Sequence, residues 1–146
     1  MDAALLQMVA GKPITRSVIV DAACDQSTGI CAYQGKYLDT GQFIFKMGPF
    51  AGGTNNIVEF LAVVHAIAHL KKLELDIPVY TDSQTAISWI KRGYINTTKP
   101  RTKDNKPLFE LVDRAHKWLN ENTGYTVLKW NSNAWGENPS DFGFKR

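Results

Sequence analysis

A predicted helix near the middle of the chain limits the folds open to it. Residues 54–72 are apolar on nearly every side of a helical projection, and only His65, His69 and Lys72 form a narrow polar stripe. A helix with so little polar surface must be covered on most of its circumference, so it is expected at the centre of the molecule with its stripe at the surface. Thr54 is a suitable N-cap for it.

Apolar segments on both sides of this helix predict strands. SVIVDAAC, which begins at Ser17, is β-branched and largely apolar, as is typical of a strand at a sheet centre. GICAYQG and residues 41–47 indicate two more strands in a meander, and IPVYT and YTVLKW indicate later ones. Helices are predicted after Asp82 and from Pro107. The predicted order is β-β-β-α-β-α-α-β.

Length and composition are those of one globular domain. The 146 residues, of which 44% are hydrophobic, can form one core and are too few for two. The domain is predicted over residues 17–146. Residues 1–16 form an N-terminal lead-in, for which a mobile segment, a short helix and part of a neighbouring domain all stay open.

The chain is expected to be cytoplasmic. Its N-terminus lacks the basic and apolar regions of a secretory signal, and no stretch has the length of a membrane span. Cys24 and Cys31 lack the spacing of a zinc site. They flank a predicted tight turn that could bring them together, but free thiols are expected. We expect no membrane partner.

A basic segment follows the predicted helix after Asp82. It contains six basic residues against one acid, Asp104. The six are Lys91, Arg92, Lys99, Arg101, Lys103 and Lys106. Such a cluster is expected on a surface that meets a polyanion. Charge alone leaves open a solvated loop without a partner.

Carboxylates in apolar surroundings are the main sign of function. Asp21 ends an apolar strand, Glu59 lies on the packed side of the central helix, Asp82 lies where a strand passes into a helix, and Asp141 lies near the C-terminus. Each has a simpler explanation: Asp82 as an N-cap, Asp21 as a turn residue, Glu59 as the partner of a lysine. Buried acids are costly without positive charge nearby, so their convergence would predict a shared divalent cation.

Oxygen ligands of this kind suit Mg²⁺, with Mn²⁺ as the expected substitute. Two such ions can align the attacking water and the leaving oxygen of a phosphodiester, and no nucleophilic side chain is then needed. The sequence contains no GxSxG motif, no P-loop and no Cys/His pair at motif spacing. A metal-dependent hydrolase is therefore predicted.

The order and context of these residues resemble type 1 ribonuclease H. The matching features are Asp21 on the first strand, TNNIVE at 54–59 and TDSQ at 81–84, in this order, and the resemblance covers residues 17–146. The ending WGENPSDFG resembles a branch found in Bacteroides-type bacteria and makes Asp141 the fourth acid.

The resemblance implies an α/β, ribonuclease H-like fold. Its mixed five-stranded sheet has an antiparallel three-strand meander plus parallel strands and is flanked by helices. The implied activity is hydrolysis of the RNA strand of RNA–DNA hybrids, giving 3′-hydroxyl and 5′-phosphate ends. Asp21, Glu59, Asp82 and Asp141 would hold two metal ions. We expect a monomer without an organic cofactor.

The resemblance also implies contacts with the hybrid. Asn55, Asn56 and Gln84 match positions at its minor groove, the backbone near Cys24 would meet ribose 2′-hydroxyls, and Thr54 matches a residue that binds a DNA phosphate. Among residues outside these motifs, Trp89, Tyr94 and the lysines of the basic segment are candidates for contact with the DNA strand.

The sequence departs from the family at several positions. Ala22-Ala23 replaces Gly-Ser after the first acid, Ile57 stands where many members have arginine, and no histidine precedes Asp141. Glu137 is a candidate for the proton or metal assistance that this histidine gives, with a solvated loop acid as the alternative.

Three other functions make different predictions for this sequence. A non-catalytic module that binds RNA–DNA hybrids or double-stranded RNA would predict a broken set of acids, and the set is intact. A proofreading-type exonuclease would need Asp-x-Glu, which Asp21-Ala22-Ala23 lacks. A transposase-like enzyme would need larger flanking domains.

Overall fold

The structure is a computed structural model and describes residues 11–140. The strands are β1 (Val18–Cys24), β2 (Ile30–Tyr37), β3 (Phe43–Ala51), β4 (Val79–Thr81) and β5 (Val127–Lys129). The helices are α1 (Asn55–Lys72), α2 (Gln84–Arg92), α3 (Lys106–Glu121) and the short α4 (Ser132–Trp135). The predicted order of elements is confirmed, with α4 as an addition.

The strands form one mixed sheet in the order β3-β2-β1-β4-β5. The pairs β1–β2 and β2–β3 are antiparallel, whereas β1–β4 and β4–β5 are parallel. The predicted fold class is therefore confirmed. Strand β3 runs past Gly48-Pro49, where the sequence predicted its end. Proline is tolerated there because β3 is an edge strand, which does not need every backbone N–H for pairing.

Helix α1 is the central helix that its composition predicts. Thr54 caps it, since its Oγ1 accepts a hydrogen bond from the Ile57 N–H at 3.2 Å. Eleven of its residues are buried, and it packs between the sheet and helices α2 and α3. The expectation that the histidines of its polar stripe are surface residues was wrong for His65. This ring stacks on Phe45 with centroids 4.0 Å apart and is half-buried.

Most of the core lies between the sheet and α1, α2 and α3. A smaller apolar cluster is built around Ile19, Tyr80 and Trp130, with Trp135 of α4 packed against it. Within the described range 11–140, no helix combines the length and hydropathy that a bilayer crossing requires.

The expectation of free thiols was also wrong. Cys24 and Cys31 form a disulfide between β1 and β2. The two residues are direct partners in the antiparallel register, with Cα atoms 4.0 Å apart. Their position on either side of a turn allows this approach, but only the register of the hairpin makes them direct partners.

Candidate active site

Three of the four predicted acids meet beside the internal strands β1 and β4. Asp21 lies in the middle of β1 and not, as the sequence predicted, at its end, because the pairing with β2 continues to Cys24. Ligand oxygens of Asp21, Glu59 and Asp82 all lie within 4.8 Å of one another. Asp21 is fully buried, Glu59 is 4% exposed and Asp82 is half-buried. The parallel register pairs Val18 with Val79, and its continuation brings Asp21 beside Asp82. Glu59 joins them from the second turn of α1, which packs on β1.

Asp82 is not the N-cap of α2. That role belongs to Ser83, whose Oγ accepts a hydrogen bond from the Ala86 N–H at 3.0 Å. The simpler interpretation of Asp82 from sequence is therefore excluded, and its carboxylate lies with those of Asp21 and Glu59. The Nζ of Lys129 donates to the backbone carbonyl of Asp82, which helps to fix this turn.

Asn138, near the C-terminal end of the described residues, contacts this group of acids. Its Nδ2 donates to the Val20 carbonyl at 3.0 Å and to Oδ2 of Asp82 at 3.4 Å, and its Oδ1 accepts from the Ser140 N–H at 2.8 Å. Asn138 is 7% exposed, and Ser140 is 1% exposed. Asp141, the predicted fourth acid, lies outside the described residues.

Gln34 completes this connection. It lies on β2 directly opposite Asp21, and its Nε2 donates to the Ser140 carbonyl at 2.7 Å. Neither Gln34 nor Asn138 was singled out from the sequence as a functional residue. The only sequence signal for Gln34 is that it is a polar residue in a largely apolar strand. This signal is too weak to identify its contact with Ser140, which lies 106 residues further along the chain.

The predicted minor-groove residues lie at the starts of two helices. Asn55 and Asn56 open α1 and are exposed, and Gln84 is the exposed first residue of α2. Thr54 precedes them as the half-buried N-cap. The Oδ1 of Asn55 accepts a hydrogen bond from the Cys24 N–H at 2.7 Å. The structure therefore brings Cys24 to Asn55, and this N–H is used within the protein.

The structure separates the two predicted aromatic contacts. Tyr94 is 52% exposed, directly after the αL glycine that ends α2. Trp89 is 6% exposed and packs edge-on against Phe60, with ring centroids 6.2 Å apart. Trp89 is thus a core residue, because α2 turns this side toward α1. Glu137 is exposed and directly precedes Asn138.

The basic segment is anchored close to the start of α1. Buried Asn105 donates to the Gly52 carbonyl at 3.2 Å and to the Pro100 carbonyl at 3.0 Å, and accepts from the Thr102 N–H at 2.7 Å. A Cβ on Gly52 would lie 2.8 Å from the Cβ of Asn105, so this close approach requires glycine. The loop around Asn105 is thereby held against Gly52, which lies two residues before Thr54.

One basic residue of the segment has a carboxylate partner. The guanidinium of Arg101 forms two hydrogen bonds with Asp113 of α3, at 2.9 and 2.7 Å. It also lies over the Phe109 ring, 4.8 Å from its centroid. The pairing raises the pKa of Arg101 and lowers that of Asp113, chiefly through these side-chain hydrogen bonds.

Similarity to known proteins agrees with the observed fold. A curated ribonuclease H of Geotalea uraniireducens (strain Rf4) is 27% identical over 124 residues, which cover 74% of this chain and 82% of the relative. The solved RNase H1 of the halophilic archaeon Halobacterium salinarum NRC-1 matches with a TM-score of 0.51 and 20% identity, over 80% of this chain and 86% of that one.

A second solved structure, LC11-RNase H1 from a compost metagenome, matches with a TM-score of 0.50 and 15% identity, over 83% of this chain and 91% of that one. At such identities the two structures show the shared fold alone. The RNase H family profile matches residues 15–131, which is most of the sequence. This chain therefore belongs to the RNase H family.

Proposed function

We propose that the protein is a metal-dependent endoribonuclease that hydrolyses the RNA strand of RNA–DNA hybrids. The products would carry 3′-hydroxyl and 5′-phosphate ends. The observation that carries the proposal is the convergence of Asp21, Glu59 and Asp82, with ligand oxygens within 4.8 Å of one another, in a chain of the RNase H family. The ending WGENPSDFG further suggests the Bacteroides-type branch.

The donor set fits hard divalent cations. Asp21, Glu59 and Asp82 offer only carboxylate oxygens, which Mg²⁺ and Mn²⁺ prefer. Together with Asp141, these residues would hold two ions. Bound there, the ions would supply a nucleophilic water and charge stabilisation for the leaving oxygen.

The surrounding residues would orient this set. Asn138 holds Oδ2 of Asp82 and the Val20 carbonyl on one side. Asn138 and Gln34 also hydrogen-bond to the backbone of Ser140, the residue that directly precedes Asp141, and so fix its position. We propose that these two side-chain amides thereby position Asp141 close to the other acids. Glu137, exposed beside Asn138, is proposed to assist proton or metal exchange.

The hybrid would lie across the starts of α1 and α2. Asn55, Asn56 and Gln84 are exposed there and would reach its minor groove. Thr54 would bind a DNA phosphate, and the backbone near Cys24 would meet the ribose 2′-hydroxyls. Tyr94 and the anchored basic segment would follow the DNA strand. We further propose a monomeric, cytoplasmic protein without an organic cofactor.

The proposal is tested by cleavage of a labelled hybrid in Mg²⁺, in Mn²⁺ and in chelator, with Asp82→Asn as the inactive variant. Asp76→Asn is a matched control, because Asp76 is an exposed acid before β4, whereas Asp82 follows that strand. We expect metal-dependent cleavage of the RNA strand by the wild type and by Asp76→Asn, and a loss of at least about a hundredfold in Asp82→Asn.

Duplex RNA, duplex DNA and single strands serve as substrate controls. Tight hybrid binding without cleavage in either metal would contradict the proposed enzyme. That result would favour the non-catalytic binding module, with Ala22-Ala23 and Ile57 as the departures to examine first.

A further inference from the structure

A groove lies between α1 and α3 on the helical side of the sheet. Its volume is about 440 Å³, which is within the range of small-molecule sites. Within residues 11–140, none of those proposed above for catalysis or hybrid contact lines it. Its apolar surface comes from small and aliphatic side chains on both helices, among them Leu61, Ala68, Leu111 and Ala115.

The sheet side of the groove is a fixed aromatic wall. Tyr33 OH and His65 Nδ1 lie 3.0 Å apart in a hydrogen bond, and the His65 ring stacks on Phe45 with centroids 4.0 Å apart. Both rings that hold His65 are almost fully buried, so its orientation is set by packing. Burial, and then the neighbouring His69, lower the pKa of His65, so this ring is neutral near pH 7.

The opposite wall is Trp118 of α3, which contacts Tyr125 with ring centroids 5.9 Å apart. A planar apolar ligand therefore finds aromatic surface on both sides and aliphatic surface below. Little side-chain ordering is needed for binding, because the walls already have packed partners.

The rim of the groove is cationic. Lys72 and Arg114 are exposed and line the groove together with His65 and His69. Among the residues that the structure describes, no aspartate or glutamate lines it. An anionic group at the rim would therefore meet two positive side chains without a competing carboxylate.

We propose that this groove is a second ligand site, separate from the three acids, for a small aromatic anion. The ring would lie on the apolar floor between His65 and Trp118. A single negative group, such as a carboxylate, sulfonate or phosphate, would lie between Lys72 and Arg114. The proposal does not depend on the proposed nuclease activity.

The test uses a matched pair of fluorescent dyes, anionic anilinonaphthalene sulfonate and neutral phenylnaphthylamine, with the full chain and without metal. We expect saturable one-site binding of the anionic dye. Lys72→Gln and Arg114→Gln should each weaken it about fivefold and leave the neutral dye unchanged. Ala68→Phe, which fills the floor, should abolish binding of both dyes.

Lys71→Gln and Lys117→Gln are the matched controls, since these exposed lysines lie on the same helices but do not line the groove. Equal weakening in these controls, or no weakening in Lys72→Gln and Arg114→Gln, would overturn the proposal. Displacement of the dye by uncleaved hybrid in chelator would also overturn it, because the groove would then be part of the hybrid surface. Circular dichroism verifies that each variant is folded.

Discussion

Asn138 carries more structural connections than its place in a C-terminal segment suggests. One buried amide contacts the backbone of β1, the carboxylate of Asp82 and the backbone of Ser140. A side chain that donates to a metal-binding carboxylate fixes the orientation of that carboxylate, and loss of such a contact costs activity even though the acid itself remains.

Asn138→Ala should therefore lower hybrid cleavage by on the order of tenfold and leave the Val20 carbonyl without this donor. Asn138→Asp should lower it further, because it removes the donor and adds a negative charge beside Asp82. Cleavage rates at saturating metal measure both effects. Asn133→Ala, at an exposed position of α4, is the control. Wild-type rates in Asn138→Ala would refute the positioning role.

His116 makes stability depend on pH. Its Nε2 accepts a hydrogen bond from the Ile95 N–H at 3.1 Å, so the folded protein requires this nitrogen to be unprotonated. Burial lowers the pKa of His116 below its usual 6.5, although Asp113 opposes the shift. The unfolded chain therefore takes up this proton more readily than the folded one.

The contribution of His116 is fully present above pH 6.5 and should be lost as the pH falls below it. In His116→Gln the amide oxygen can still accept from Ile95 but does not titrate. Urea unfolding at pH 7.5 and pH 5.5 should show a smaller difference for the variant than for the wild type. Equal differences would mean that His116 does not contribute. The pH dependence of stability that remains in the variant should include a contribution from His65, whose pKa is also lowered.

Among the secondary-structure elements, the β1–β2 hairpin is directly connected to the site. Its turn end carries the Cys24–Cys31 disulfide, and the Cys24 N–H is bound to Asn55 at the start of α1. This pairing joins the strand that carries Asp21 to the helix that carries Glu59. A short closed loop still restricts the unfolded chain, so the disulfide should stabilise the fold.

Reduction should lower the free energy of unfolding by about 2 kcal/mol, from the seven-residue separation of the cysteines. Urea titrations with and without reductant measure this change. The double variant Cys24→Ser/Cys31→Ser should resemble the reduced protein and be insensitive to reductant. An unchanged urea midpoint on reduction of the wild type would contradict the prediction.

At the scale of the whole molecule, acidic and basic side chains occupy separate places around the site. The net charge of +3 does not show this separation. Asp21 lies on β1, Glu59 on α1 and Asp82 directly after β4, and Asn105 anchors the basic segment beside the start of α1. A hybrid across this surface would meet lysines with its phosphates, and release of its counterions makes binding depend on salt.

Lys103→Gln should weaken hybrid binding and reduce the slope of log affinity against log salt by about one. Arg101→Gln should have a smaller effect, because Asp113 already holds the Arg101 guanidinium. Affinities measured in chelator over a range of salt concentrations compare the two variants directly. Equal slopes for the wild type and Lys103→Gln would show that Lys103 does not contact the phosphates of the hybrid.

The sequence by itself determined the order of the elements, the central position of α1 and the identity of the candidate acids. These follow from local patterns: apolar periodicity, cap residues and the spacing within TNNIVE and TDSQ. Since a carboxylate in an apolar strand or helix is conspicuous without any knowledge of its neighbours, Asp21 and Glu59 could be selected from sequence alone.

Only the tertiary structure decided which residues meet. The pairing of Cys24 with Cys31 depends on hairpin register, the burial of Trp89 depends on how α2 rotates against α1, and the contact of Gln34 with Ser140 joins residues 106 positions apart. Local periodicity carries no information on such contacts, because they arise from the packing of whole elements against one another. The same packing formed the groove between α1 and α3, which no segment of the sequence predicts.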